Sequence, residues 1–130
     1  MFGVPADLDL SAYLGATLTQ VCLGEFQLQF HFYPSSRRLS SNPEEEAPAI
    51  SCEGDWCLLD PSGRELDRSM DHTARTEYRI HLLLGKAVTE TRVEAPKVFE
   101  LVFEGGYVLR FVEDDRPYES YQLYPSGHII

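Results

Sequence analysis

Apolar and polar residues alternate most strictly in "VFELVFEGGYVLRFV", residues 98–112, and the alternation selects one hairpin register. A two-residue Gly105-Gly106 loop would set Leu101 beside Arg110 and Glu100 beside Phe111. A three-residue loop, Glu104-Gly105-Gly106, instead pairs Phe103 with Tyr107, Leu101 with Leu109 and Phe99 with Phe111. It also sets Glu100 across from Arg110 on the opposite face. A slip of one residue reverses every side chain, so the second register is the predicted one. It implies a type I turn with Gly106 in the left-handed region. Val98, Val102, Val108 and Val112 share the outer face with the ion pair, which predicts a partial cover, helices being the natural candidates.

The pattern occurs twice. "LDLSAYLG" (8–15) lines up with "YRIHLLLG" (78–85), two short amphipathic segments that read as helices, with Gly15 and Gly85 at the C′ position where positive φ is needed. "ATLTQVCL" and "KAVTETRV" follow and read as strands. Phe26-Leu28-Phe30 then matches Phe99-Leu101-Phe103, and "LLDPSG" (58–63) matches "QLYPSG" (122–127), Pro-Ser-Gly being turn chemistry. The expected unit is a helix followed by four strands, over about 8–63 and again over about 78–127. Residues 63–85 begin as loop and become the longest helix, with Ala74, Tyr78 and Leu82 at helical spacing and Arg75 and Arg79 on the wet side. Where the second copy has Glu-Gly-Gly, the first has "PSSRRLSSNPEEEAPA", a polar, proline-rich acidic stretch that reads as a mobile loop over 34–49. The whole predicts one α+β domain, 1–130, mainly β, its two tandem helix-plus-four-strand repeats related by pseudo-two-fold symmetry. The strands form either a barrel or a two-sheet sandwich.

Charge changes the picture more than composition does. Eleven basic against 21 acidic residues leave a net −10. Such a surface repels phosphate backbones and anionic lipid, which argues against nucleic-acid and membrane partners and admits a basic protein partner. No apolar run approaches the roughly 18 residues of a membrane span, and residues 1–20 lack a basic leader, so a cytoplasmic protein is expected. Cys22, Cys52 and Cys57 form no paired spacing and read as reduced thiols rather than a disulfide framework or metal site.

The sequence offers little catalytic chemistry. His31, His72, His81 and His128 share no metal-binding spacing, and neither a nucleophile elbow nor a phosphate loop is present. No cofactor, metal or catalytic residue is assigned. The run Glu113-Asp114-Asp115 reads as an exposed turn. Glu119 shares strand parity with Tyr121 and Leu123, and Asp55 stands at the matching place in the first copy. Two inward acids suggest buried structural groups or the walls of a pocket between the copies. Trp56, Tyr118, Tyr121 and Tyr124 cluster near the end of each copy, as core or as a sticky aromatic patch. Candidate interaction or pocket residues are therefore Trp56, Asp55, Tyr118, Glu119 and Tyr121.

Leu84-Gly85, the hairpin Leu101-Val102-Phe103-Glu104-Gly105-Gly106 and Tyr118-Glu119-Ser120 together resemble small uncharacterised bacterial proteins, domains of unknown function with immunity-protein-like relatives. The resemblance implies an architecture and a lean toward neutralising a toxin, without catalytic residues. The expected role is a non-enzymatic acidic interaction protein. The alternative is a small-ligand-binding or enzymatic domain with its pocket between the repeats.

Overall fold

The structure, a computed structural model, describes residues 3–24, 27–35, 47–69, 79–113, 121–124 and 128–130. Among the described residues, ten strands form two open antiparallel sheets. Sheet A runs in the order β1 (Thr17–Leu23), β2 (Leu28–Tyr33), β3 (Ala49–Cys52), β9 (Tyr121–Tyr124), β10 (His128–Ile129). Sheet B runs β5 (Glu65–Arg68), β4 (Asp55–Leu59), β8 (Val108–Val112), β7 (Val98–Phe103), β6 (Val88–Glu94).

Strand alternation explains the packing. One face of each sheet is apolar, and the two faces meet: Phe30 and Tyr121 of sheet A lie edge-on to Phe111 of sheet B, at 5.7 Å each between ring centres. Phe99 stacks on Phe111 at 4.7 Å and meets Tyr121 edge-on at 5.5 Å, so one aromatic cluster spans both sheets. Burying such rings removes a large apolar area from water, and edge-on geometry aligns ring quadrupoles. The buried tyrosines keep their hydroxyls satisfied. Tyr121 donates to the carbonyls of Asp55 (2.6 Å) and Val112 (2.5 Å), tying sheet A to sheet B. Tyr13 donates to Ala49 (2.7 Å) and Tyr124 (3.0 Å).

The predicted α+β architecture of helix-plus-four-strand repeats does not form. The helical segments among the described residues are single 3-10 turns, Ser11–Tyr13, Ile80–Leu83 and Glu104–Gly106. Their brevity has a cause. Leu14 and Leu84 are already extended (ψ 125° and 130°), and Gly15 and Gly85 turn the chain with φ of +77° and +83°. The backbone then binds the other half of the molecule: Gly15 N–H to Val88 O (2.8 Å), Val88 N–H to Ala16 O (2.9 Å), and Gly85 N–H to Leu18 O (2.8 Å). A continuing helix would leave those sheet-end groups unmet. Residues 65–68, expected to lead into the longest helix, are instead the edge strand β5, while the body of that expected helix lies outside the described residues. A closed barrel is likewise excluded, since β1 and β10 bound one sheet and β5 and β6 the other.

Among the described residues, a 3-10 turn precedes the first strand of each half, and each half contributes five strands, three to one sheet and two to the other. Pairing in the halves corresponds, including a bulge between Leu18 and Gln20 in β1 and between Val88 and Glu90 in β6. This correspondence sets Leu28-Phe30-Phe32 against Phe99-Leu101-Phe103, two residues along from the match with Phe26 read in the sequence. The β7–β8 register is the expected one, Glu100 opposite Arg110 and Phe99 opposite Phe111. Its turn differs, because Gly105 has φ 86° and ψ −6°, the third-position geometry of a type II turn, with Gly106 also at positive φ. No helix of the described residues is long and apolar enough to cross a membrane.

Candidate interaction surface

The five strands of sheet A contain no Asp, Glu, Lys or Arg, in a chain that is 25% charged. Sheet B carries Asp55, Glu65, Asp67, Arg68, Glu90, Arg92, Glu94, Glu100 and Arg110. Outward positions of sheet A are uncharged and open: Gln29, His31, Ala49, Ser51 and Gln122 are half-buried, while Tyr33 and Tyr124 are 57% and 44% exposed. Local hydrogen bonds fix much of this face. Gln27 Nε2 donates to Ser51 Oγ, Tyr124 OH donates to Gln122 Oε1 (2.7 Å), and the His31 ring bonds Gln29 Oε1 (3.3 Å). Side chains already held in place lose little freedom when covered, and interface centres are poor in charge and rich in tyrosine.

The outer face of sheet B is closed by comparison. Glu100 is 3% exposed there, bound by Arg110 Nε at 2.5 Å and approached by Arg92 at 3.7 Å. Cys57, beside Arg110 in the pairing, is 9% exposed, and burial raises its thiol pKa while Arg110 pulls it the other way. A raised thiol is a poor nucleophile, so Cys57 behaves as a packed side chain. Cys52 is buried as well, and Cys22 is half-exposed. No group of three or more potential metal ligands occurs among the described residues.

Of the residues singled out from sequence, Asp55, Trp56 and Tyr121 are described and lie together, the Tyr121 hydroxyl donating to the Asp55 carbonyl at 2.6 Å. Trp56 and Tyr121 are 2% and 1% exposed, inside the shared core, and present no ring to a partner. Asp55 is half-buried and pairs with Val112 on the outer row, so it does not face the space between the sheets. The inward row of β4 is Trp56 and Leu58, one residue off the parity read from sequence. Asp55 Oδ1 accepts a hydrogen bond from Ser69 Oγ at 3.3 Å. Tyr118 and Glu119 lie outside the described residues. Glu113, expected on an exposed turn, is 3% exposed, because it continues the inward row of Leu109 and Phe111 beyond β8. Tyr33 was missed, although the alternation Gln29-His31-Tyr33 carried the signal.

No protein-family model, curated protein or solved structure matches this chain. The resemblance to uncharacterised and immunity-type proteins therefore rests on the quoted sequence motifs alone.

Proposed function

We propose that the chain is a non-enzymatic, cytoplasmic interaction protein whose contact surface is the outer face of sheet A and whose partner is a basic protein. The absence of charge from that face, against a net charge of −10 for the chain, is the observation that supports the reading. Acidic residues elsewhere steer a basic partner over long range, while the neutral face makes contact without stripping water from ions. Tyr33 and Tyr124 are the anchors: each brings a broad apolar ring with a polar tip at small entropic cost. A basic toxin held in a neutral complex is the finer form of the same reading, and it draws on the resemblance above.

The test is capture of a binding protein from the native host across a salt series, followed by affinity measurement with a Tyr33→Ser/Tyr124→Ser variant. Charge steering weakens binding as salt screens it. The double variant should lose about 2 kcal/mol or more of binding, the scale of an interface hot spot. A partner indifferent to both changes would contradict the proposal.

A further inference from the structure

Each sheet ends in a seven-residue edge strand, and β1 and β6 occupy corresponding places. Natural sheets guard such edges with charge, because an open row of N–H and C=O groups templates pairing with another chain. β6 is guarded. Glu90, Arg92 and Glu94 line its outer face, and a two-fold antiparallel pairing of β6 centred on Arg92 would set Arg92 against Arg92 and Glu90 against Glu94. Like charges directly opposed across a strand pair are destabilising.

β1 is met by the other half only at its start, where Leu18 bonds Lys86 and Gly85, and beyond Leu18 it has none of this protection. The corresponding positions are Gln20, Cys22 and Gly24, and the strand carries no charge. Its outward backbone groups follow from the pairing. Gly24 N–H bonds Gln27 O at 2.8 Å toward β2, so by alternation Leu23 and Val21 point their N–H and C=O to the open side. Leu23 is also 59% exposed, the largest value among the exposed large apolar side chains of the described residues.

We infer that β1 is a self-association edge, pairing antiparallel with β1 of a second copy about a two-fold axis at Cys22. In this register Val21 opposes Leu23 of the other copy, covering that exposed side chain, and Cys22 faces its own counterpart. The alternative register centred on Val21 would bring Leu23 against Thr19, inside the bulge, where regular pairing is lost. A second copy fits better than a charged peptide because the joined ten-stranded sheet consists of two uncharged sheets A, with both charged sheets B held away from the seam. A strand-to-strand contact of this length is smaller than the roughly 800 Å² per partner of a standard interface, so the dimer is weak and concentration-dependent.

The test is sedimentation of the whole chain under reducing conditions from about 1 µM to about 1 mM, with a Gln20→Glu/Cys22→Arg variant that copies the β6 charges into β1. The wild type should pass from monomer to dimer with rising concentration. The variant should weaken dimerisation by about tenfold or more, the equivalent of roughly 1.4 kcal/mol. Added salt should strengthen the wild-type dimer by screening two −10 molecules, the reverse of its effect on a basic partner, which keeps this test separate from the preceding one. Mild oxidation provides a readout without the variant. Directly opposed cysteines at a non-hydrogen-bonded position lie within disulfide reach, so a covalent dimer should form through Cys22 and vanish in Cys22→Ser. A monomer at every concentration, an undiminished dimer in the charged variant, or cross-linking that survives Cys22→Ser would each overturn the inference.

Discussion

Across the outer face of sheet B one row of paired positions runs Arg92, Glu100, Arg110, Cys57, and across sheet A the matching row runs Cys22, Gln29, Ser51, Gln122. The backbone pairing is alike, and the chemistry is opposite. In sheet B an alternating ladder of charges satisfies itself and leaves Glu100 out of water. In sheet A the same places hold small neutral groups that remain half-open. A shared scaffold therefore tolerates either filling. What differs is the availability of the face to another molecule.

The largest effects test whether the two sheets share one core. Phe30→Ala in sheet A and Phe111→Ala in sheet B should each cost about 3–5 kcal/mol in chemical denaturation, since each ring is fully buried against the other sheet. A cost well below this for either one alone would break the comparison at its base.

The matched row is next. Arg110→Ala removes the close partner of a buried carboxylate and should cost about 2 kcal/mol, less than a fully buried pair because the Arg110 side chain is 40% exposed. Ser51→Ala, its counterpart in sheet A, should stay within about 0.5 kcal/mol, like other open surface positions. Equal losses would mean that the sheet A row is also a stabilising network.

The β4–β5 turn gives the smallest effect and a pH signature. Hydrogen bonds from the Ser62 hydroxyl and the Arg64 backbone N–H, helped by the Arg64 charge, hold the Asp60 carboxyl below its ordinary range. A carboxylate with a lowered folded pKa contributes stability above its unfolded pKa, about 3.9, and loses it as pH falls through the folded value. Thermal melts of Asp60→Ala should therefore lie slightly below wild type at neutral pH and converge with it in acid. A gap that persists in acid would assign the effect to chain geometry instead.

Strand content and one complete hairpin register were legible because strict alternation leaves a single consistent answer, as the pairing of Phe99 with Phe111 shows. Helices were misread where amphipathic spacing over a few residues, as in Ser11–Tyr13 and Ile80–Leu83, fits a single 3-10 turn equally well. What decides against a helix is long-range: the hydrogen bonds from Gly15 and Gly85 to the opposite half of the chain. The uncharged face of sheet A was hidden for the same reason. Uncharged stretches at 17–23, 28–33, 49–52 and 121–124 are visible in the sequence, but only the topology joins them into one surface. The aromatic character of Trp56 and Tyr121 fits a binding patch or a core equally well, and the inward alternation of their strands places both in the core.

The most direct test writes the sheet B row into sheet A, as Cys22→Arg/Gln29→Glu/Ser51→Arg, and measures affinity for the partner recovered from the host. The net charge of −10 is almost unchanged, so long-range steering persists, and the row already exists in sheet B, so the fold should tolerate it. The variant should fold and its binding should fall by about tenfold or more, roughly 1.4 kcal/mol. A folded variant that binds as tightly as the wild type would show that contact is made elsewhere.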